Sequence, residues 1–253
     1  MSGAVLLPQW PAVPGVHARF TLRAGGASGA PYESFNLAAH VGDDPAAVAE
    51  NRRRLRLEQS LPGEPLWLEQ MHGTQVVEAD RARDALPPGT ARRGDAAVSR
   101  RHGVVLAVLV ADCLPVLLAA RDGSAVAVAH AGWRGLAGGV LEAAVSALAA
   151  HAPLQAWMGP AISAAHFEVG PEVRAAFVAR DAAAAAAFAP NDRGRWQCDL
   201  GSLARARLSA AGVESIHADG SCCYREPARF FSYRRDGATG RMAALIWREA
   251  APS

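Results

Sequence analysis

The sequence predicts an α+β fold with mixed β-sheets. Apolar runs of strand length outnumber the segments with helical periodicity, and the strand-like runs cluster along the chain. No internal repeat and no linker-like stretch divides the sequence. The chain has 253 residues, of which 51% are hydrophobic, so it is long enough to bury a sizeable core. We therefore expect residues 1–253 to form a single domain.

The charged residues exclude several classes of function. The formal net charge is only +2, which does not favour nucleic acid or an anionic membrane as a partner. All 26 basic residues are arginine, so a lysine Schiff base, a pyridoxal-phosphate enzyme and a Walker-A lysine are impossible. Any bound phosphate must be held by arginine, by backbone N–H groups or by a metal.

The expected compartment is the cytoplasm. The first fifteen residues, MSGAVLLPQWPAVPG, lack the basic start and the long apolar stretch of a signal peptide. No apolar run approaches the length of a membrane span. Four cysteines in a chain of this length do not make a disulfide scaffold, so we expect free thiols that are available to a metal.

The predicted strands are short apolar or alternating runs bounded by polar residues, glycine or proline. In chain order they are His17–Leu22, Leu66–Leu68, Gln75–Glu78, Asp95–Val98, Val104–Val110, Leu114–Ala120, Ala125–Ala129, Gln155–Met158, Ser215–Ala218 and Met242–Trp247. The run Val104–Val110 is apolar enough to be buried on both faces. The stretches Arg81–Gly94 and Ala161–Gly170 are expected to be loops.

The predicted helices rest on capping residues, on apolar spacing or on propensity. In chain order they are Pro45–Glu58, Leu136–Ala149, Pro171–Arg180, Ala182–Ala187 and Leu200–Ala211. Asp44 as N-cap with Pro45 at the first helical position marks the start of the first helix. The second helix follows from apolar residues at helical spacing, whereas the alanine run is predicted from propensity alone.

A predicted hairpin brings two reactive side chains together. The strands Leu114–Ala120 and Ala125–Ala129 are separated by the turn Arg121-Asp122-Gly123. Cys113 lies just before the first strand and His130 just after the second. If the strands pair antiparallel, the thiol and the imidazole become neighbours beside a glycine-rich turn.

His72, in a polar connection between two strand-like runs, is a third candidate for the same site. One thiolate and two imidazoles are a plausible three-ligand set for zinc, and a fourth position is left for water or substrate. The same residues also permit a metal-free cysteine nucleophile, with Cys113 attacking and His130 as its base. Nearby arginines, Arg52, Arg134 and Arg234–Arg235, would form an anion site if they converge.

Several motifs in a fixed order resemble the bacterial laccase-domain (polyphenol oxidase) family. The resemblance runs from about Arg19 to Trp247, which is nearly the whole chain. The motifs are FNLAAHVGDDPAAVAENRRRL, QMHGTQVV, ADCLPVLL, HAGWRGLAGGV, GPAIS with FEVG, and FFSYRRDGATGRMAALIW. One departure is His166-Phe167, which stands where the family has cysteine and tyrosine in its CYEVG motif.

The resemblance implies a four-layer αββα sandwich with mixed sheets. It also implies a catalytic zinc bound by His72, Cys113 and His130, and purine nucleoside phosphorylase activity on adenosine, inosine and methylthioadenosine, with adenosine deamination. Its ligands would be a small nucleoside and phosphate. Arg52 is the first candidate for the phosphate, and Asn36, Gln70 and Arg134 are candidates for the base because of their places in the motifs.

The same residues permit three other functions. Copper could replace zinc in a phenol oxidase, but the chain has eight histidines and no HxH pair, which a multicopper site would need. Cys113 could act without metal as a hydrolase on an amide of a cell-wall precursor. The metal could also merely hold the fold of a binding module.

Overall fold

The computed structural model describes residues 5–82, 92–148 and 152–249. The strands are β1 (Val5–Leu6), β2 (Val16–Thr21), β3 (Leu68–Glu69), β4 (Val76–Glu78), β5 (Arg92–Arg93), β6 (Ala96–Ser99), β7 (Val105–Val110), β8 (Leu114–Ala120), β9 (Val126–Ala131), β10 (Leu154–Met158), β11 (Glu168–Val169), β12 (Phe188–Pro190), β13 (Trp196–Cys198), β14 (Ser215–Ala218) and β15 (Met242–Arg248). The α-helices are α1 (Pro45–Glu58), α2 (Ala79–Ala82), α3 (Trp133–Gly138), α4 (Val140–Leu148), α5 (Pro171–Val178), α6 (Leu200–Ala210) and α7 (Tyr233–Asp236).

Two sheets form the centre of the molecule. The larger has the strand order β14-β10-β8-β9-β6-β4, with parallel pairs at both edges and antiparallel pairs between them. The second, β1-β2-β15-β7, is antiparallel throughout. The described residues also form the small sheets β11-β13-β12 and β3-β5. The predicted mixed pairing is confirmed and lies in the larger sheet.

The two large sheets are stacked between two layers of helix. Side chains alternate along β8, so Leu118 packs with the residues of α4 and α6 while Leu117 packs toward the four-stranded sheet. In β7, Val108 faces the larger sheet and Leu109 faces the opposite way, into a cluster that Leu55 of α1 completes. The layer order is therefore helix, sheet, sheet, helix, which confirms the predicted αββα sandwich.

Helix α1 begins and ends as predicted. The carboxylate of Asp44 accepts the N–H of Ala46 at 2.9 Å, and Pro45 occupies the first turn, where its missing N–H has no cost. Asn51 is fully buried on the inner face, where its amide donates to the backbone carbonyl of Asn36 at 2.9 Å. This bond fixes the segment that precedes the helix against the sandwich.

The helix predicted over Leu136–Ala149 is wrong in its continuity. The structure has two helices there, α3 and α4, and they are separated by Gly139 at φ +106°. Because this left-handed conformation suits glycine and breaks helical hydrogen bonding, it ends α3 in a C-cap. Helix α3 also begins earlier, directly after β9, and Ala149 lies outside the described residues.

The alanine run is helical as propensity indicated, and the two predicted loops contain short elements that were not predicted. Residues Ala182–Ala187 form a 3₁₀-helix rather than an α-helix, capped by Asp181, which accepts the N–H of Ala183 at 2.9 Å. The stretch Ala161–Gly170 contains a 3₁₀ turn and β11. The stretch Arg81–Gly94 contains the end of α2 and β5, while residues 83–91 lie outside the described part.

Within the described ranges, none of the helices has both the length and the apolar character that crossing a bilayer requires. Residues 1–4 of the segment considered for a targeting signal lie outside those ranges.

Candidate metal centre

The predicted hairpin exists and brings Cys113 to His130. Strands β8 and β9 pair antiparallel, with Leu114 opposite Ala131 and Pro115 opposite His130. The turn between them is closed by a hydrogen bond from the N–H of Gly123 to the carbonyl of Ala120, 2.9 Å long. His130 is the next-to-last residue of β9 rather than the residue after it, so its side chain is fixed by sheet pairing.

His72 joins this pair from a separate loop. The Nε2 atom of His72 lies 3.9 Å from the Sγ atom of Cys113, and one potential ligand atom of each of the three residues lies within 4.8 Å of the others. In a tetrahedral zinc site, ligand atoms are roughly 3.3–3.6 Å apart, given the usual bond lengths. Small side-chain movements would therefore bring the trio to bonding distance. Among the residues that the structure describes, His72, Cys113 and His130 are the group of three or more His, Cys, Asp or Glu side chains that lie close enough together to share one ion.

The trio is graded in exposure, which leaves one side of the centre open. His130 is 3% exposed, Cys113 is partly buried, and His72 is exposed. Three protein ligands with an accessible side are typical of a catalytic site, whereas a structural zinc is usually enclosed by four ligands. The arrangement therefore has room for a reactant beside an ion.

Asp95 connects the loop of His72 to the hairpin. This carboxylate is 1% exposed and accepts backbone N–H groups from Met71, His72 and Gly73 at 3.1, 2.8 and 2.7 Å. Its Oδ1 atom also lies 2.9 Å from Nδ1 of His130. One buried side chain thus fixes the positions of two of the three candidate ligands. A carboxylate behind a ligating histidine holds the ring in orientation and increases its basicity.

The position of His72 depends on this carboxylate for a second reason. His72 adopts φ +57°, a left-handed conformation that few non-glycine residues occupy. Three consecutive N–H groups that converge on one anion form a nest, and the nest stabilises this backbone shape. The sequence reasoning placed Asp95 at the start of a strand and did not identify this role, because a carboxylate before a strand has no distinctive spacing.

The thiol and the buried imidazole form a charge pair in the metal-free centre. Burial alone would raise the pKa of Cys113, but the charge of His130 and hydrogen bonds from both histidines outweigh it and lower the pKa to about 6. Burial alone would lower the pKa of His130, but Cys113 and Asp95 raise it to about 9. Near neutral pH, Cys113 is therefore a thiolate, the form that binds metals and attacks electrophiles.

Gly132 leaves the space in which the trio meets. A Cβ atom at this position would lie 3.0 Å from the Sγ atom of Cys113 and 3.0 Å from Cδ2 of His72. Since such contacts are tighter than nearly all real ones, any larger residue would push the ligands apart. The Gly-Trp-Arg-Gly segment after His130 therefore serves close packing at the centre.

The backbone before Cys113 is held by the segment of Arg234. Asp112 has φ +93°, and its Oδ2 atom accepts the backbone N–H of Arg234 at 2.7 Å. The guanidinium of Arg234 donates to the carbonyl of Glu168, and that of Arg235 donates to the carbonyl of Cys223 at 2.7 Å. Both guanidinium groups are therefore bound to backbone carbonyls, and neither residue lines the cavity described below.

A cavity of about 420 Å³ opens beside the trio, within the usual range for small-molecule sites, roughly 300–1,000 Å³. It is lined by His40, Gln70, His72, Leu109, Val110, Ala111, Cys113, His130, Tyr233 and Arg241. A second cavity of about 440 Å³ has Leu114 and Met158 among its lining residues, and its lining includes none of the trio. We therefore place the candidate site in the first cavity.

The residues predicted to bind substrate are placed differently from one another. Gln70 lines the cavity, but its amide exchanges two hydrogen bonds with the backbone of Leu109, at 2.8 and 2.7 Å. Asn36 is fully buried and its amide nitrogen donates to Asp43 at 2.8 Å. The amide of Asn36 already uses both N–H groups and accepts two further bonds, whereas Gln70 keeps one N–H group and one acceptor site for a ligand.

The two predicted arginines do not line the cavity. Arg52 stacks on Trp67, 4.2 Å from the ring centroid, and donates to a backbone carbonyl. Arg134 is exposed and stacks on Trp133 at 4.4 Å. Arg241 is the arginine that lines the cavity, and the sequence reasoning missed it. It lies in the quoted FFSYRRDGATGRMAALIW motif, so the motif was identified although the residue was not.

Known proteins resemble this chain over almost its whole length. Residues 17–249 match the family model described as multi-copper polyphenol oxidoreductase laccase. A purine nucleoside phosphorylase of Pseudomonas aeruginosa is 51% identical over 246 residues, which cover 96% of this chain and 98% of the relative. Purine nucleoside phosphorylase YfiH of Escherichia coli is 50% identical, with the same coverage of each chain.

Solved structures resemble the fold as closely. A Neisseria meningitidis protein has a TM-score of 0.91 at 45% identity, covering 97% of this chain and 99% of its own. YlmD from Geobacillus stearothermophilus has a TM-score of 0.84 at 34% identity, covering 94% of each chain.

Proposed function

The chain belongs to the multi-copper polyphenol oxidoreductase laccase family, and on this premise we propose that it is a zinc-dependent purine nucleoside phosphorylase. The observation that carries the proposal is the identity of about half of all residues, over 96% of the chain, to relatives named for that activity. The family match over residues 17–249 also supports our proposal that residues 1–253 are one domain. Its four free cysteines fit a cytoplasmic protein.

The donor set fits zinc. Thiolate and imidazole ligands select zinc or copper(I) over magnesium and calcium, and a set of three with an open side is the catalytic zinc pattern. His72, Cys113 and His130 would hold the ion, and Gly132 leaves the space that it needs. A multicopper site requires several groups of histidines that bind metal close to one another. Among the described residues, His72, Cys113 and His130 are the single group found that could share an ion. When bound, zinc would supply Lewis-acid chemistry.

The proposed reaction is the transfer of a ribosyl group from a purine to phosphate. An oxygen of phosphate forms a bond to C1′, and the bond from C1′ to the purine nitrogen breaks. The electron pair stays on the purine, which takes up the proton that the hydrogen phosphate loses. The cavity supports this reaction with an apolar wall, Leu109–Ala111, for the purine and with a cation, Arg241, for the phosphate.

We include adenosine, inosine and S-methyl-5′-thioadenosine among the proposed substrates, and deamination of adenosine as a second activity. The test is incubation of the metal-loaded protein with each nucleoside, with and without phosphate. Chromatography measures the free base, and ammonia measures deamination. We expect base release that depends on phosphate and falls when zinc is removed by a chelator. A folded protein of measured zinc content that releases no base from any of the three would refute the proposal.

One observation favours a second candidate function, a cysteine hydrolase acting on an amide of a cell-wall precursor. In space, the Cys113 thiol is followed by the His130 imidazole and then by the Asp95 carboxylate, which could serve as nucleophile, base and orienting group. The pKa of the thiol is lowered to about 6. Chelation separates the two functions. Hydrolysis that survives complete zinc removal and is abolished by Cys113→Ala supports the hydrolase, whereas phosphorolysis that disappears with the zinc supports the phosphorylase.

A further inference from the structure

Arg241 lines the cavity, and among the described residues no carboxylate forms a salt bridge with it. Its side chain is partly buried, and its Nη1 atom donates to the backbone carbonyls of Thr239 and Gly240 at 2.7 and 3.0 Å. Within the described residues, Nε and Nη2 have no hydrogen-bond partner, and no carboxylate oxygen lies within 4.0 Å of the guanidinium. Neutral carbonyls thus hold one edge of the group while the other edge is left for a ligand.

Other arginines of this chain are used differently. Arg207 is paired with Glu142 at 2.9 Å, and Arg235 with Asp236 at 2.7 Å. Burial lowers the pKa of Arg241, because its charge loses hydration that no carboxylate in contact replaces. An anion that enters the cavity would therefore make strong electrostatic and hydrogen-bonding interactions with this cation. The planar fork of arginine suits a phosphate oxyanion.

The backbone around Arg241 fixes its position. Its N–H donates to the buried Oδ1 atom of Asn36 at 2.9 Å, and its guanidinium lies 5.7 Å from the ring centroid of Tyr233. Asn36 thus contributes to the site, although through the backbone of Arg241 rather than by contact with a ligand. A cation that is held before the ligand arrives loses little freedom on binding.

His40 lies in the same cavity beside this charge. Desolvation and the positive charges of Arg241 and Arg52 lower its pKa, which favours the neutral ring. A neutral imidazole next to a guanidinium can donate one hydrogen bond to an oxyanion without the cost of burying a further charge.

We propose that Arg241, assisted by His40, binds the oxyanion of the phosphate co-substrate in the cavity that also contains His72, Cys113 and His130. This inference rests on the proposed phosphorylase function and names the residues that serve it. The shared chemistry is a phosphate oxyanion, and its two possible sources are free inorganic phosphate and the 5′-phosphate of a nucleotide. The co-substrate is the free ion.

The first test measures binding of inorganic phosphate to the zinc-loaded protein by calorimetry, without nucleoside. We expect Arg241→Met to weaken phosphate binding ~10-fold or more, because charged hydrogen bonds are lost, and Arg241→Lys to restore part of it. The control is Arg205→Met on α6, whose guanidinium donates to the carbonyl of Ile216 away from the cavity. If circular dichroism shows that Arg241→Met is not folded, Arg241→Gln is used in its place, because its amide keeps a donor for the Thr239 carbonyl.

The second test is steady-state phosphorolysis. We expect the KM for phosphate to rise ~10-fold or more in Arg241→Met, while the KM for the nucleoside changes less than twofold. An unchanged KM for phosphate in an active variant overturns this inference and leaves the proposed function standing. Arg241-dependent phosphate binding by a protein that releases no base supports the subsite and refutes the phosphorylase. Arg241-dependent binding of adenosine 5′-monophosphate but not of inorganic phosphate overturns the co-substrate assignment.

Discussion

Replacing Asp95 with asparagine is expected to weaken zinc binding 10- to 100-fold, although Asp95 does not contact the ion. The carboxylate is the common acceptor for the loop of His72 and for the ring of His130. Asparagine has the same shape, so the change removes the charge and one acceptor without creating a cavity. Its effect therefore isolates the positioning of the ligands from the packing around them.

The magnitude follows from the four hydrogen bonds. Oδ1 accepts from His72 and His130, and Oδ2 accepts from Met71 and Gly73. The asparagine oxygen can replace one of these atoms, and its amide then faces two N–H donors. Each buried donor left without a partner costs about 1–3 kcal/mol, so the loss is about 2–6 kcal/mol in all. A 10- to 100-fold loss of zinc affinity corresponds to about 1.4–2.8 kcal/mol, and this is the part of the total loss that we expect to appear in zinc binding.

Zinc affinity is measured by competition with a chromogenic chelator, and the stability of the metal-free protein by urea unfolding. The matched control is Asp80→Asn. Its carboxylate also accepts two hydrogen bonds, from Ser99 at 2.6 Å and from the backbone of Arg100 at 2.9 Å, but it contacts none of the candidate ligands. We expect this control to bind zinc normally. An Asp95→Asn protein that is folded and binds zinc within twofold of the parent would show that the reasoning about positioning is mistaken.

Three further outcomes are expected. Gly132→Ala should lower zinc affinity more than ~10-fold, because the added Cβ would lie 3.0 Å from two of the candidate ligands. The control is Gly29→Ala, where an added Cβ has open space. Equal zinc affinities of the two variants would contradict this prediction. In the metal-free protein, iodoacetamide should modify Cys113 with a rate that rises through about pH 6, since the pKa of the thiol is lowered and the thiolate is the form present above it; a midpoint near the ordinary thiol pKa, or no protection by zinc, would count against the charge pair. Leu118→Ala should reduce the free energy of unfolding by about 2–5 kcal/mol in urea, whereas Leu57→Ala, at a residue 59% exposed, should change it little; equal losses would argue against the two-sheet core.

The parts of the fold that could be predicted from sequence are those with a strong local signal. The hairpin of β8 and β9 is encoded by two apolar runs around the turn Arg121-Asp122-Gly123, from which Cys113 and His130 were expected to meet if the strands paired antiparallel, as they do. The start of α1 followed from Asp44 and Pro45. The break at Gly139 did not, because an apolar stripe continues across it and conceals the change of helix.

Within the site, the sequence predicted residues whose chemistry is unusual and missed those whose importance depends on tertiary contacts. A thiol and two imidazoles are conspicuous in any sequence, whereas Asp95 matters only because four donors converge on it. Arginine is so frequent in this chain that composition did not distinguish Arg241 from the others. Only the fold separates an arginine paired with an acid from one that faces a cavity.

The convergence of distant segments on one point has a consequence for how the protein matures in the cell. His72 and Cys113 are 41 positions apart, and Asp95 and His130 are 35 apart. No short stretch of the nascent chain contains the complete ligand set, so the ribosome must release β9 and the sheet must close before an ion can be captured. Under the proposed zinc function, a product truncated before His130 would lack one of the three candidate ligands and is expected to bind zinc poorly.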